Sequence, residues 1–141
     1  MAKTIATILG AGFLLVGICG FIAPGMLGMH LSLAHNLVHI ISGAAALYFG
    51  LSGSLSAARL FCLVFGAVYL LLGVVGFVAG KAQAVTGDMP GMSPDDKLLK
   101  LLPGVLEFGK MDHIVHILLG LIFLIGGFLT KNYINNRADA D

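Results

Sequence analysis

The run Gly10-Ala11-Gly12-Phe13-Leu14-Leu15-Val16-Gly17-Ile18-Cys19-Gly20-Phe21 returns 56 positions later as Gly66-Ala67-Val68-Tyr69-Leu70-Leu71-Leu72-Gly73-Val74-Val75-Gly76-Phe77. Gly10, Ala11, Leu14, Leu15, Gly17, Gly20 and Phe21 meet identical residues, and Ala23 meets Ala79. Farther along, Val38, His39, Ile40 and Gly43 return 77 positions later as Val115, His116, Ile117 and Gly120. Apolar composition alone produces chance leucine matches, but not a shared register of glycine and histidine. The chain therefore reads as one helical hairpin used twice. Repeat one covers about 4–51, repeat two about 58–130, and a polar tail follows at 131–141.

Composition says where such hairpins live. Of 141 residues, 58% are hydrophobic and 11% charged, and 20 are glycine. A water-soluble domain carries about a quarter charged residues, so the apolar side of this one faces lipid. Four apolar runs, Ile5–Ile22, Leu33–Leu51, Leu60–Ala79 and Ile114–Leu129, each approach the ~20 residues that span a hydrocarbon core. In lipid each run must be helical, because an unpaired backbone group there costs several kcal/mol. The expected fold is all-α: one integral membrane domain, 1–141, of four transmembrane helices in two tandem parallel-repeat hairpins. The first run follows Lys3, as a signal peptide would, but no A-x-A site follows it and it takes part in the repeat, so it is read as retained.

A net charge of +1 offers no basic stripe, and nucleic acid is excluded as a partner. The partner expected is the bilayer. Gly66, Tyr69, Gly73, Gly76 and Gly80 share one helix face, as do Asn36, His39, Gly43, Ala46 and Gly50. Such faces allow close helix approach, and on outer surfaces they would support a homo-oligomer or a larger membrane complex. Lys3, Arg59, Lys131 and Arg137 lie on the side of the termini, against Lys81, Lys97, Lys100 and Lys110 opposite. The count is even. The uncharged connection Met26–Ser32 inclines the reading towards cytoplasmic termini. Cys19 and Cys62 lie inside apolar runs and read as small buried hydrophobes.

Four of the five histidines stand at the starts of the second and fourth helices: His35, His39, His113 and His116. Spacings of four and three residues put each pair on one face. Parallel repeats relate by a pseudo-twofold axis along the membrane normal, so equivalent inward side chains meet across it. Three readings follow. In the first, His39 and His116 are neutral and hydrogen-bond to Asn36, Asp112 or a backbone carbonyl, fixing the register of a structural or accessory protein. In the second, imidazoles of His35, His39, His113 and His116 hold a transition metal with Asp112. Imidazole suits zinc, copper or iron, and the nearby Met26, Met29, His30, Met89, Met92 and Met111 would favour copper. In the third, His39 and His116 are axial ligands of a b-type haem, with Gly43 and Gly120 clearing space for the macrocycle. The last two describe a redox or sensor protein.

No spanning run carries Lys, Arg, Asp or Glu near mid-membrane, which argues against an ion pathway. Nor is there a G-x-S-x-G elbow or a phosphate-binding glycine loop, so no catalytic residue is assigned. In the long third connection, Ser93-Pro94-Asp95-Asp96 reads as a helix start and Pro103-Gly104 as its end. A short amphipathic interfacial helix is expected between them, covering the histidines.

These residues, His35-Asn36-Leu37-Val38-His39 with Gly43, Ala58-Arg59-Leu60-Phe61, Tyr69 to Phe77, and Asp112-His113-Ile114-Val115-His116 with Gly120, form an ordered set over about 5–130. The set resembles a family of small bacterial four-helix membrane proteins classed as a domain of unknown function. The resemblance implies a multi-pass protein of the bacterial inner membrane with no assigned activity. His39 and His116 match the family's helix-start histidines, and Asn36 and Asp112 their polar neighbours. His113 departs from the pattern, standing where Asn or another polar residue is expected. In size and shape the chain is also similar to DoxX-like proteins.

Overall fold

A computed structural model describes residues 1–86 and 92–138. Met89 and the last three tail residues therefore lie outside the described residues. Four helices dominate: α1 (Ala2–Gly20), α2 (Leu33–Leu51), α3 (Leu55–Ala79) and α4 (Lys110–Ala138). All four are long and apolar enough to cross a membrane. At 1.5 Å per residue, the 19 residues of α1 or α2 reach about 28 Å, close to the hydrocarbon thickness. The chain is thus a multi-pass membrane bundle, and much of its exposed surface is apolar, including Ile22, Leu33, Ile41, Leu71 and Val78.

Serines set two of the helix starts. Ser32 Oγ accepts from His35 N at 3.3 Å, and Ser54 Oγ from Ala57 N at 3.1 Å. The Ser54 cap starts α3 at Leu55, so Arg59, expected in a connection, lies within the helix and its Nε donates to Gly127 O on α4. The α4 backbone likewise continues through most of the polar tail, to Ala138.

Within each hairpin the helices meet through equivalent contacts. A methyl at Gly10 would lie 2.9 Å from Leu47 N, and one at Gly66 would lie 2.8 Å from Leu124 N, the residue 77 positions on. Gly17 faces Asn36 O and Ile40; Gly73 faces His113 O and Ile117. Gly20 seats the side chain of Asn36 as Gly76 seats that of His113. These glycines let backbones touch where lipid supplies no hydrophobic drive between helices. They serve contacts inside the chain. Towards the end that holds the termini, Phe13, Phe61, Tyr69 and Phe123 fill the centre of the bundle.

The third connection corrects one expectation. The segment after Ser93 is a strand, not an amphipathic helix. β1 (Lys81–Gln83), β2 (Asp95–Leu102) and β3 (Leu106–Phe108) form an antiparallel sheet in that order. Lys and Leu favour helix locally, but the partner strands on either side decide the outcome. Pro103-Gly104 is a hairpin turn and not a helix stop. Gly104 has φ +77°, and Val105 N donates to Leu102 O at 2.9 Å, as in a type II turn. Cross-strand Lys100 and Glu107 pair at 4.0 Å. Glu107 accepts from Gly104 N and Thr86 N, both at 2.9 Å, which ties the sheet to its own turns. Burial pushes the Glu107 carboxyl up, but these two N–H donors and the Lys100 ammonium outweigh it and hold the group below its ordinary value.

Candidate functional site

The sheet caps the bundle at the end where α2 and α4 begin, and the histidines stand beneath it. Ser32 fixes the first turn of α2, placing His35 on that turn and His39 one turn deeper on the same face. His116 comes from the second turn of α4. The three rings converge: His35 and His39 centroids lie 4.4 Å apart, His35 and His116 5.9 Å. One ring nitrogen from each of the three lies within 4.8 Å of the others. All three residues are buried, at 2%, 5% and 3% exposure.

Hydrogen bonding fixes which nitrogen His35 offers. Its Nδ1 lies 2.8 Å from His30 O, and a carbonyl only accepts, so Nδ1 carries the proton and Nε2 presents a lone pair. That Nε2 has no hydrogen-bond partner among the described residues, and neither have His39 Nδ1 and His116 Nδ1. Buried polar atoms are nearly always paired. His30 Nδ1 and His113 Nδ1 are unpartnered as well, but among the described residues only in the cluster do three rings with such an atom adjoin one another. The bonds to Asn36 or Asp112 expected of structural histidines are not made, since Asn36 Nδ2 donates to Leu31 O instead.

Asp112 and His113 sit elsewhere. Asp112 Oδ2 accepts from His30 N at 2.9 Å and Gly109 N at 2.8 Å, with His30 Nδ1 3.5 Å away. The carboxylate thus grips the loop whose carbonyl orients His35. It also holds the His30 imidazole above its ordinary value of 6.5, against the opposing effect of burial. His113 Nε2 donates to Lys97 O of β2 at 2.8 Å, and its ring packs on Gly76. It anchors the sheet rather than joining the cluster. Its true counterpart at the 77-residue shift is Asn36.

Aromatic rings wall the site. Phe13 lies 5.5 Å from His39 and Tyr69 5.4 Å from His116, equivalent pairs under the two repeat shifts. Phe108, the last residue of β3, roofs it edge-on, 4.9 Å from His35 and 5.1 Å from His116. A cavity of about 190 Å³ opens beside the three histidines, with Ser42 and Tyr69 on its inner wall. Gly43 and Gly120 leave no slot for a macrocycle: Gly43 abuts Gly10 O and Leu14, and Gly120 abuts the backbone of Leu70. Met92 lines a different cavity, of about 520 Å³, beside Asn36, and Met111 packs on Gly28.

Reading the residues alone missed Ser42 and Phe108 as parts of the site, and named His30 only among loop residues near the metal reading, not as the residue whose carbonyl orients His35. Phe108 and His30 lie outside the helices, where no periodicity marks them. Ser42 could have been found, since it lies one turn below His39 on the same face.

A sequence profile of a family described as a domain of unknown function (DUF4383) matches residues 3–129. No curated protein and no solved structure matches the chain. The chain belongs to the DUF4383 family, whose profile spans all three histidines of the cluster.

Proposed function

We propose that this member of the family is a small membrane metalloprotein that binds one transition-metal ion, zinc or copper, through His35, His39 and His116. The observation that carries the reading is the convergence of three buried imidazoles, one ring nitrogen of each lying within 4.8 Å of the others, on rings that each keep an unpartnered nitrogen, with His35 oriented by a backbone carbonyl. A hydrogen-bonded far nitrogen is the usual support of a metal-binding histidine. A tetrahedral zinc ion with bonds of about 2.0–2.1 Å sets its donors about 3.3 Å apart, so the rings would draw together by about 1.5 Å at most. An all-nitrogen set suits zinc or copper(II) better than copper(I), which prefers sulfur. Three protein ligands leave a coordination position open, as in redox, sensor or catalytic centres. The buried Asp112 carboxylate supplies compensating negative charge nearby.

The same proposal places the protein in the bacterial inner membrane with both termini cytoplasmic, the site lying near the opposite face. Metal analysis of detergent-purified protein tests the reading. About one equivalent of zinc or copper is expected, lost in His39→Gln and His116→Gln with helicity retained, and kept in His113→Gln. Substoichiometric metal, or metal retained without His39 and His116, overturns it.

A further inference from the structure

The cavity beside the histidines is open on one side, and that side faces lipid. Its rim is formed by Val38 on α2 and by Val68 and Leu72 on α3, with Phe65 below. Val38 is 43% exposed and Val68 57%. At 1.5 Å per residue, Val68 lies about 16 Å along α3 from its outer end at Ala79, near the middle of a hydrocarbon core about 30 Å thick. The gap exists because α2 and α3 belong to different hairpins: each helix packs closely on its own partner and only lightly on the other. Phe108 closes the route from the aqueous side.

The duplication supplies a comparison within the same molecule. The pseudo-twofold relates the α2–α3 gap to the α4–α1 gap, so each lining residue has a counterpart. Tyr69 corresponds to Phe13, Ser42 to Leu119, and His35 to Asp112. At these compared positions both hydroxyls and the third imidazole therefore lie on the α2–α3 side. Ser42 and Tyr69 partner each other there, which offsets the cost of a hydroxyl within the bilayer and sets a polar pair at the inner end of the slot, where the opposite gap has Leu119 and Phe13. Hydroxyls and imidazoles at the inner end of an apolar slot match a molecule with a polar ring head and an apolar tail. Phe65, Tyr69 and Phe108 supply aromatic surface suited to a flat ring.

We propose that the α2–α3 gap is a lateral portal through which a membrane-dissolved phenol or quinol enters, its ring hydroxyl reaching the histidine cluster and its tail remaining in lipid. This deepens the metal reading, since the hydroxyl would meet the position that three imidazoles leave open. It names a ligand and no reaction.

The test uses the full chain in lipid nanodiscs and an alkylphenol carrying a photoactivatable diazirine, with 4-octylphenol as competitor and mass spectrometry to locate the label. Labelling is expected on the walls of the gap, at 38–42 and 65–72. It should be competed by 4-octylphenol and fall by about tenfold or more in both Val68→Trp and Val38→Trp. Ile125→Trp, on another exposed helix face, should label as wild type. Labelling spread evenly over the lipid-facing helices, uncompeted, or unchanged in both tryptophan variants overturns the portal. So does a diazirine phospholipid that labels the gap without competition from 4-octylphenol, because an acyl chain then fills it. Metal content is measured on the same wild-type sample. Labelling without metal removes the metal reading alone, and metal without labelling removes the portal alone.

Discussion

Replacing Asp112 by Ala separates the support of the site from the site itself. The side chain is 1% exposed, and Oδ2 accepts two backbone N–H groups, from His30 at 2.9 Å and Gly109 at 2.8 Å. A hydrogen bond to a charged acceptor contributes about 1.5–3 kcal/mol, and a buried donor left unpaired costs about 1–3 kcal/mol. Two such bonds bound the loss at about 6 kcal/mol. Relief of the desolvated charge and entry of water at this end of the bundle reduce it, to about 3 kcal/mol. For a chain of this size that is a fall of roughly 10 °C in Tm. The second effect is on the metal. Asp112 holds His30, whose carbonyl orients His35, and loss of such outer support typically costs about 10–100-fold in metal affinity. Asp112→Asn keeps an acceptor and should lose about 1 kcal/mol. Thermal unfolding in mild detergent followed by far-UV circular dichroism, with chelator competition for the metal, reads both effects. If Asp112→Ala unfolds within about 1 kcal/mol of wild type and binds metal within about threefold, the chain of support from Asp112 through His30 to His35 is refuted.

Two further outcomes follow from the packing and the cap. A methyl at Gly120 would lie 2.8 Å from Leu70 Cα, where the backbone cannot give, whereas one at Gly12 meets nothing within 4 Å. Gly120→Ala should therefore lose about 1–2 kcal/mol net of its gain in helix propensity, and Gly12→Ala should gain about 0.5–1 kcal/mol, as measured by thermal or denaturant unfolding. In the cap, Glu107 has its folded-state pKa below the ordinary 4.5. Its contribution is present above 4.5 and lost as the pH falls through the lower folded value. Hydrogen exchange should show the Thr86 and Gly104 amides losing protection as the pH falls below about 4.5, with both unprotected at neutral pH in Glu107→Ala, which has no acceptor.

The four helices were legible because hydrophobic length and the glycine register are local properties, and α2 runs over the expected Leu33–Leu51. The strand at Asp95–Leu102 was not, because its leucines and lysines favour helix and its extended form depends on partners at Lys81–Gln83 and Leu106–Phe108. The site was legible in part for a related reason. His39 and His116 were marked by the repeat, and His35 by its place on the same face. His113 looked like their equal by residue type and spacing, yet the 77-residue shift pairs it with Asn36, and both rest on a glycine of the neighbouring helix. The support from His30 and Asp112 runs between groups 82 residues apart, which no local pattern displays.

Two identical hairpins assembled as a dimer would be bound by their symmetry: any residue placed in one gap would stand in the other as well. Joining the halves in one chain removes that obligation. Here Phe13 and Leu119 remain as filling on one side, while Tyr69 and Ser42 stand at the same stations on the other. The covalent link thus allows a bundle with twofold packing to hold an asymmetric interior, in which one half can carry specificity while the other is kept for stability.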